Sequence, residues 1–237
     1  MSHVLITGGS RGIGEALVRY FAAKGWQVAF TYVKSKEKAE ALAKECNALA
    51  ICADNVDEAA AKEAVALATS TYSAPDVLIN NAAVSSFQLF QDVSTELWET
   101  TVNTNLRGAF FYTRECLPEM ISRQSGVILN ISSIWGITGA SCEVLYSTTK
   151  AALIGMTKAL AKEVAPSGIR VNCIAPGVID TEMNRHLTEE DRTALLEGIP
   201  LGRMGVGEDI ARLAYYLAAE DSYITGQIIS PNGGMII

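Results

Sequence analysis

Seven apolar runs of strand length punctuate the chain: HVLIT from His3, QVAFTYV from Gln27, ALAICA from Ala48, DVLINNA from Asp76, GVILNIS from Gly126, GIRVNCIA from Gly168 and GQIIS from Gly226. They stay apolar along their length instead of alternating with polar positions, which is the pattern of strands covered on both faces. Val and Ile dominate them, as β-propensity favours. Segments of helical period separate the runs, and this alternation predicts right-handed βαβ units. The expected fold class is therefore α/β: a Rossmann-type doubly wound parallel sheet of about seven strands, with helices on both faces. The first helix is predicted to begin near Gly12 and to stop at Gly25, where a glycine can take the left-handed conformation before WQVAF resumes as a strand. Neither a Gly/Ser-rich linker nor an internal repeat divides the sequence, so one domain over residues 1–237 is expected.

Composition narrows the function classes. Apolar residues make up 49% and charged residues 19%, with only 6 prolines, which describes a folded globular chain and not a disordered one. The net charge of -7 and the lack of a basic stripe argue against a nucleic-acid partner. No run reaches the roughly 18 apolar residues needed to span a bilayer, and no basic leader precedes the first strand, so a cytoplasmic protein without a membrane partner is expected. The 5 cysteines (Cys46, Cys52, Cys116, Cys142 and Cys173) are scattered without a CxxC pair and read as reduced thiols. The two histidines, His3 and His186, lie in no ligand spacing, and no metal site is expected.

Candidate chemistry begins in the stretch TGGSRGIG, Thr7 to Gly14, which joins the first strand to the first helix. Glycines at Gly8, Gly12 and Gly14 let the backbone turn sharply and approach a pyrophosphate, with the positive end of the helix behind it. A merely tight turn is the alternative. The second strand ends in FTYVKSK, which offers no carboxylate for a ribose 2′-hydroxyl. Lys34 and Ser35 stand there instead, with Arg11 in the glycine loop, and these groups suit a 2′-phosphate. NADP(H) is thus favoured over NAD(H), against the alternative that Lys34, Lys36 and Lys38 only solvate a helix start. Further along, YSTTK places Tyr146 and Lys150 four residues apart, on one face of a helix. An ammonium near a phenol would lower its pKa from about 10 and make the pair an acid-base device. Ser133 ends the fifth strand, where ligands of open parallel sheets collect. Taken singly, these are an ordinary strand-end hydroxyl and a half-buried aromatic.

The spacing TGxxxGxG, then NNAA from Asn80, NTNLRG from Asn103, ISS from Ile131, YSTTK, APGVIDTEM from Ala175 and YITGQIISPNGG from Tyr223 follow one another in order along the whole chain. In these motifs the sequence resembles the short-chain dehydrogenase/reductase family. Within it, SGIRVNCIAPGVIDTEM, IPLGRMG and YITGQ are most similar to bacterial 3-oxoacyl-acyl-carrier-protein reductases. The resemblance implies hydride transfer from a nicotinamide to a ketone, with Tyr146 protonating the oxygen and Ser133 bonding it. Lys150 would also hold the nicotinamide ribose, and Asn105 would bind a water that relays protons to the lysine. Further cofactor contacts implied are Ser10 and Ile13 in the glycine loop, Asp54 at the adenine, Asn81 and Ala82 after the fourth strand, Pro176 and Gly177, and the Ile179 backbone with the Thr181 hydroxyl at the carboxamide. Asn55 departs from the family, which carries a valine there.

Other departures bear on the substrate. Those reductases carry basic residues that dock an acidic carrier protein at positions that read Gln124 and Ser167 here; Arg123 is the neighbouring cation that could compensate. The overall charge opposes attraction to an acidic partner. Glu143, three residues before Tyr146, replaces an uncharged amide at a substrate-facing position. A carboxylate there would favour hydroxylated or cationic substrates and raise the tyrosine pKa, unless it turns outward. The expected substrate is a 3-oxoacyl thioester, with acyl carrier protein as a candidate partner. A small hydroxylated ketone, sugar or polyol is the runner-up, and a non-catalytic dinucleotide-binding protein comes third. Residues 182–205 are expected to form a lid over the cleft, or else an ordinary surface helix. A homotetramer through the two long helices is expected, because AALIGMTKALA from Ala151 carries small and apolar residues able to pack on a copy of itself.

Overall fold

Each apolar run becomes a strand in the computed structural model, which describes residues 1–184, 188–219 and 222–237. His186 and residues 185–187 of the expected lid lie outside the described residues. The strands are β1 (His3–Ile6), β2 (Gln27–Tyr32), β3 (Leu49–Cys52), β4 (Val77–Asn80), β5 (Gly126–Ile131), β6 (Ile169–Ile174) and β7 (Ile228–Ile229), all parallel, in the order β3-β2-β1-β4-β5-β6-β7. The helices are α1 (Gly12–Ala23), α2 (Lys36–Cys46), α3 (Glu58–Thr71), α4 (Thr95–Val102), α5 (Gly108–Arg123), α6 (Trp135–Thr138), α7 (Val144–Val164), α8 (Glu189–Glu197) and α9 (Gly207–Ala219).

Alternation along each strand sends its apolar side chains to two cores. Val4 and Ile6 of β1 meet Leu17, Val18 and Phe21 of α1 and Ile210, Ala214 and Leu217 of α9 on one face. Leu5, pointing the other way, joins Ala64 and Ala68 of α3, Phe111, Tyr112 and Met120 of α5, and Val164 of α7. Each fully buried Leu, Ile or Phe stabilises the fold by about 1.5–3 kcal/mol, so the two covered faces hold the sheet rigid beneath the loops. The first helix ends at Ala23, and Gly25 has φ +79, as the sequence predicts.

Strand connections run outward in opposite senses from β1 and β4, so the crevice at their carboxyl ends is the topological switch point. Buried amides tie these ends together: Asn80 Nδ2 donates to Asn130 Oδ1 at 2.9 Å and to Thr113 Oγ1 at 3.0 Å, and Asn130 Nδ2 donates to Thr157 Oγ1 at 2.9 Å. Between α4 and α5 the helix widens to π geometry over Asn103–Arg107. Widened turns of this kind frequently mark functional sites.

Candidate active site

The glycine loop is built for contact with a ligand backbone. Gly8 and Gly12 have φ +68 and +56, in the region that favours glycine. Gly14 has an ordinary backbone, but a Cβ there would lie 2.1 Å from the Gly8 carbonyl oxygen. Thr7 locks the loop from beneath: its hydroxyl accepts from the backbone N–H groups of Asn81 (3.0 Å) and Ala82 (3.1 Å). Asn81 Nδ2 donates to the carbonyls of Thr7 and Gly8 at 3.0 and 3.1 Å, and Gly8 N–H donates to Thr31 Oγ1 at 3.1 Å. Arg11 precedes α1 in an extended conformation and gives it no side-chain cap, whereas Asp57, Ser94 and Thr188 cap α3, α4 and α8. The first amides of α1 are therefore available to an anion at the positive end of the helix.

From this loop a cleft of about 1250 Å³ runs across the carboxyl ends of the strands. Gly8, Ser10, Arg11, Gly12, Ile13 and Gly14 line one part of it, with Lys34 and Ser35 after β2, Asp54 after β3 and Asn81 and Ala82 after β4. Pro176, Gly177, Ile179 and Thr181 follow β6 along its edge. Asp54 is exposed, and its carboxylate accepts the Val56 N–H at 3.2 Å. The Pro176 carbonyl accepts from Ile134, the Gly177 N–H donates to Pro231, and Asn184 Nδ2 donates to the Ile179 carbonyl at 2.8 Å, so the turn after β6 is fixed to both neighbours. Lys36 pairs with Glu40 along α2, as a solvated helix start would.

Ser133, Tyr146 and Lys150 meet at the other end of the cleft. Tyr146 and Lys150 share the inner face of α7 and are 9% and 2% exposed. Lys150 Nζ donates one of its three hydrogens to the Ile131 carbonyl at 2.8 Å and lies 5.4 Å from the Tyr146 ring centre. Ser132 holds this part of the helix, its hydroxyl bonding the Lys150 carbonyl at 2.8 Å. Ser133 Oγ accepts the Trp135 N–H at 3.1 Å and lines the cleft beside Tyr146. Burial and then the nearby Glu143 carboxylate push the phenol well above its ordinary value, and the neighbouring Ser133 hydroxyl only partly offsets them. This corrects the expectation that the lysine would lower it. Burial instead lowers the Lys150 ammonium to about 8. At neutral pH the phenol holds its proton and the ammonium is largely charged.

Glu143 turns inward: it lines the cleft and accepts the Ser85 hydroxyl at 3.0 Å, a partner on the loop after β4. Asn105 does not reach the cleft lining. Its amide oxygen accepts the Val84 N–H at 2.8 Å, and its two N–H bonds go to the Val84 carbonyl and Thr149 Oγ1 at 2.9 and 3.1 Å. The side chain therefore positions the wall behind Tyr146 and has no donor left for a water. The Arg123 guanidinium bonds the carbonyls of Ala74 and Pro75 and the carboxylate of Asp76, so its charge is paired within the chain. Thr31 and Ser85 are site residues that motif reading missed, and the roles of Thr7 and Ser132 were not read from the motifs that contain them. Each acts through a contact distant in sequence.

A family model described as enoyl-(acyl carrier protein) reductase matches residues 8–236. The 3-oxoacyl-[acyl-carrier-protein] reductase FabG of Staphylococcus aureus strain Mu50 is 40% identical over 237 residues, covering 98% of this chain and 96% of its own. The protein of the same name from Thermotoga maritima is 41% identical over 239 residues, with 98% and 97% covered. Among solved structures, a double mutant of a Serratia marcescens short-chain dehydrogenase/reductase superposes with a TM-score of 0.90 at 34% identity, covering 99% of this chain and 97% of that one. A blue fluorescent protein from a metagenomic library, in complex with NADPH, gives 0.92 at 35% identity, with 100% and 98% covered. The backbone at Gly8, Gly9 and Gly14, where an added Cβ would press on its neighbours, and the uncapped start of α1 suit the nicotinamide dinucleotide that such proteins bind. The chain belongs to the short-chain dehydrogenase/reductase family and is an NAD(P)-dependent oxidoreductase acting on hydroxyl and keto groups.

Proposed function

We propose that the protein is an NADP(H)-dependent carbonyl reductase whose substrate is a 3-oxoacyl thioester. The observation that carries this reading is the buried Tyr146 phenol, grouped with Ser133 and Lys150 in one cleft whose lining also holds Arg11 and Lys34 and no carboxylate from β2. The relatives named above support the thioester class. Residues Gly8 to Gly14 would hold the pyrophosphate, Arg11, Lys34 and Ser35 the 2′-phosphate, and Lys150 the nicotinamide ribose. When bound, the dinucleotide supplies the hydride. Ser133 and Tyr146 orient the substrate oxygen, and the phenol delivers a proton to that oxygen as negative charge develops on it. The Lys150 charge then stabilises the phenolate that remains.

Two positions refine the partner. With Gln124 and Ser167 uncharged and Arg123 occupied, an acyl carrier protein would dock without the cations its relatives offer, so thioesters on a small carrier should serve comparably. Among the described residues no helix is long and apolar enough to cross a membrane; the reading places the enzyme in the cytoplasm. The lid reading for residues 182–205 is supported by Glu182, Asn184 and Leu195, which line the cleft. A homotetramer is supported by α5 and α7, where Phe110 and Ile121 are exposed and Gly155 faces open space.

A second reading, reduction of a small hydroxylated ketone, sugar or polyol, is favoured by one observation: the inward Glu143–Ser85 pair beside Tyr146. A panel of carbonyl compounds run with NADPH and NADH separates the two. Acetoacetyl thioester turned over faster than simple ketones and keto-sugars, with NADPH preferred, is the expected result. A crotonyl thioester should not react, despite the activity named in the family description. Glu143→Gln should raise kcat/KM for the acyl thioester; a fall there, with keto-sugars the better substrates of the unaltered enzyme, would install the second reading.

A further inference from the structure

An NAD-type site places a carboxylate at the end of the second strand. Here a carboxylate reaches that corner from the opposite wall. Glu182, just beyond the turn after β6, sets Oε1 2.6 Å from Lys38 Nζ and Oε2 3.8 Å from Arg11 Nη1. The Glu182 side chain is 25% exposed, while those of Arg11 and Lys38 are 59% and 60% exposed. The carboxylate is thus the covered member of the cluster and the cations stay accessible. Its segment is rooted at the glycine loop, since a methyl group added at Gly12 would lie 3.5 Å from the Thr181 side chain. Lys34 lines the same corner and makes no ion pair among the described residues.

A 2′-phosphate and Glu182 both call on Arg11, and both are anionic. Two like charges within a few ångströms cannot share the site without raising the free energy of the pair. Resting on the NADP(H) reading above, we propose that Glu182, held on the other side by Lys38, is a displaceable carboxylate that competes with the cofactor 2′-phosphate for Arg11 and sets the ratio of NADP(H) to NAD(H) affinity. Without the phosphate, Glu182 stays between the cations. With it, the carboxylate swings off Arg11. Glu182 therefore weakens NADPH binding, and the chain discriminates between the two cofactors less than Arg11 and Lys34 alone would allow.

The test is equilibrium binding to the full chain, without turnover. Titration calorimetry with adenosine 2′,5′-bisphosphate and 5′-AMP, and fluorescence titration with NADPH and NADH, compare the unaltered protein with Glu182→Gln. The variant should bind the bisphosphate and NADPH roughly three- to tenfold more tightly, as loss of a half-exposed charge contact allows, and 5′-AMP and NADH within about twofold of the original. Added salt should shrink the difference. Glu182→Asp, which keeps the charge, should retain the original ratio of bisphosphate to AMP affinity; a ratio like that of the Gln variant would assign the effect to packing and overturn the proposal. Equal ratios in the unaltered protein and Glu182→Gln would also overturn it. Should the unaltered protein prefer NADH, the cofactor reading above falls, while the effect of Glu182→Gln on bisphosphate affinity still decides this proposal.

Discussion

The phenol of Tyr146 and the ammonium of Lys150 were legible as a pair because their relation is local: four residues along a helix fix a common face whatever the rest of the chain does. Their electrostatics were not legible, since burial and the inward Glu143 come from elements that pack around them. The correction changes the expected pH behaviour. A phenol held above its ordinary value remains a donor throughout the neutral range, so the titration that limits reduction is that of Lys150, whose charge is lost as pH rises through about 8. In pre-steady-state reduction, kcat/KM should be flat below that pH and fall above it. Tyr146→Phe should lower kcat by about 10²–10⁴ or more, the scale of positioned proton transfer, while leaving the dinucleotide Kd and the melting temperature close to the original values. Near-normal turnover in that variant would remove the tyrosine from the chemistry.

At the scale of elements, all seven strands and the first helix could be read in advance, because strands covered on both faces are largely apolar along their length. The glycine loop was legible as a turn and a helix start. The device that fixes it was not, since Thr7 and Asn81 are neighbours only after β1 and β4 pair through the sheet. Asn105 shows the same limit: its motif was visible, but the π-widened turn and the Val84 and Thr149 bonds that occupy its amide appear only in three dimensions. Gly14 gives a test at this scale. Its backbone is ordinary, so alanine carries no conformational penalty, yet the added methyl would meet the Gly8 carbonyl at 2.1 Å and force the loop to shift. Overpacking of this kind costs about 1–3 kcal/mol. Gly14→Ala should therefore weaken NADPH binding by roughly tenfold or more, a factor that about 1.4 kcal/mol supplies. Gly25→Ala, at a φ of +79 with nothing near the added methyl, should cost stability and leave binding alone.

Across the whole molecule the sheet separates two tasks: chemistry gathers at the carboxyl ends, and the opposite end carries a stability device. His3, fully buried at the start of β1, shares Nδ1 with the Ser73 carbonyl at 2.7 Å, so the neutral ring donates there. Its Nε2 is buried without a hydrogen-bond partner among the described residues, and the ring meets Tyr72 edge-on at 5.3 Å. Desolvation lowers the His3 pKa below 6.5; Asp76 nearby works to raise it, and Arg123, which is paired with Asp76, works to lower it. The folded chain therefore resists protonation that the unfolded chain accepts. Between pH 6.5 and the lower folded value the unfolded state binds more protons, so stability is fully present above about pH 6.5 and is lost as pH falls through that window. Urea midpoints at pH 7.5 and pH 5.5 should show the loss, and His3→Gln should flatten it, since an amide keeps a donor for Ser73 and has no proton to gain. The same pH shift would be expected to loosen a tetramer only if subunit contacts were coupled to this end. Light scattering at both values separates the two: unchanged mass with a falling urea midpoint assigns the effect to His3 within each chain.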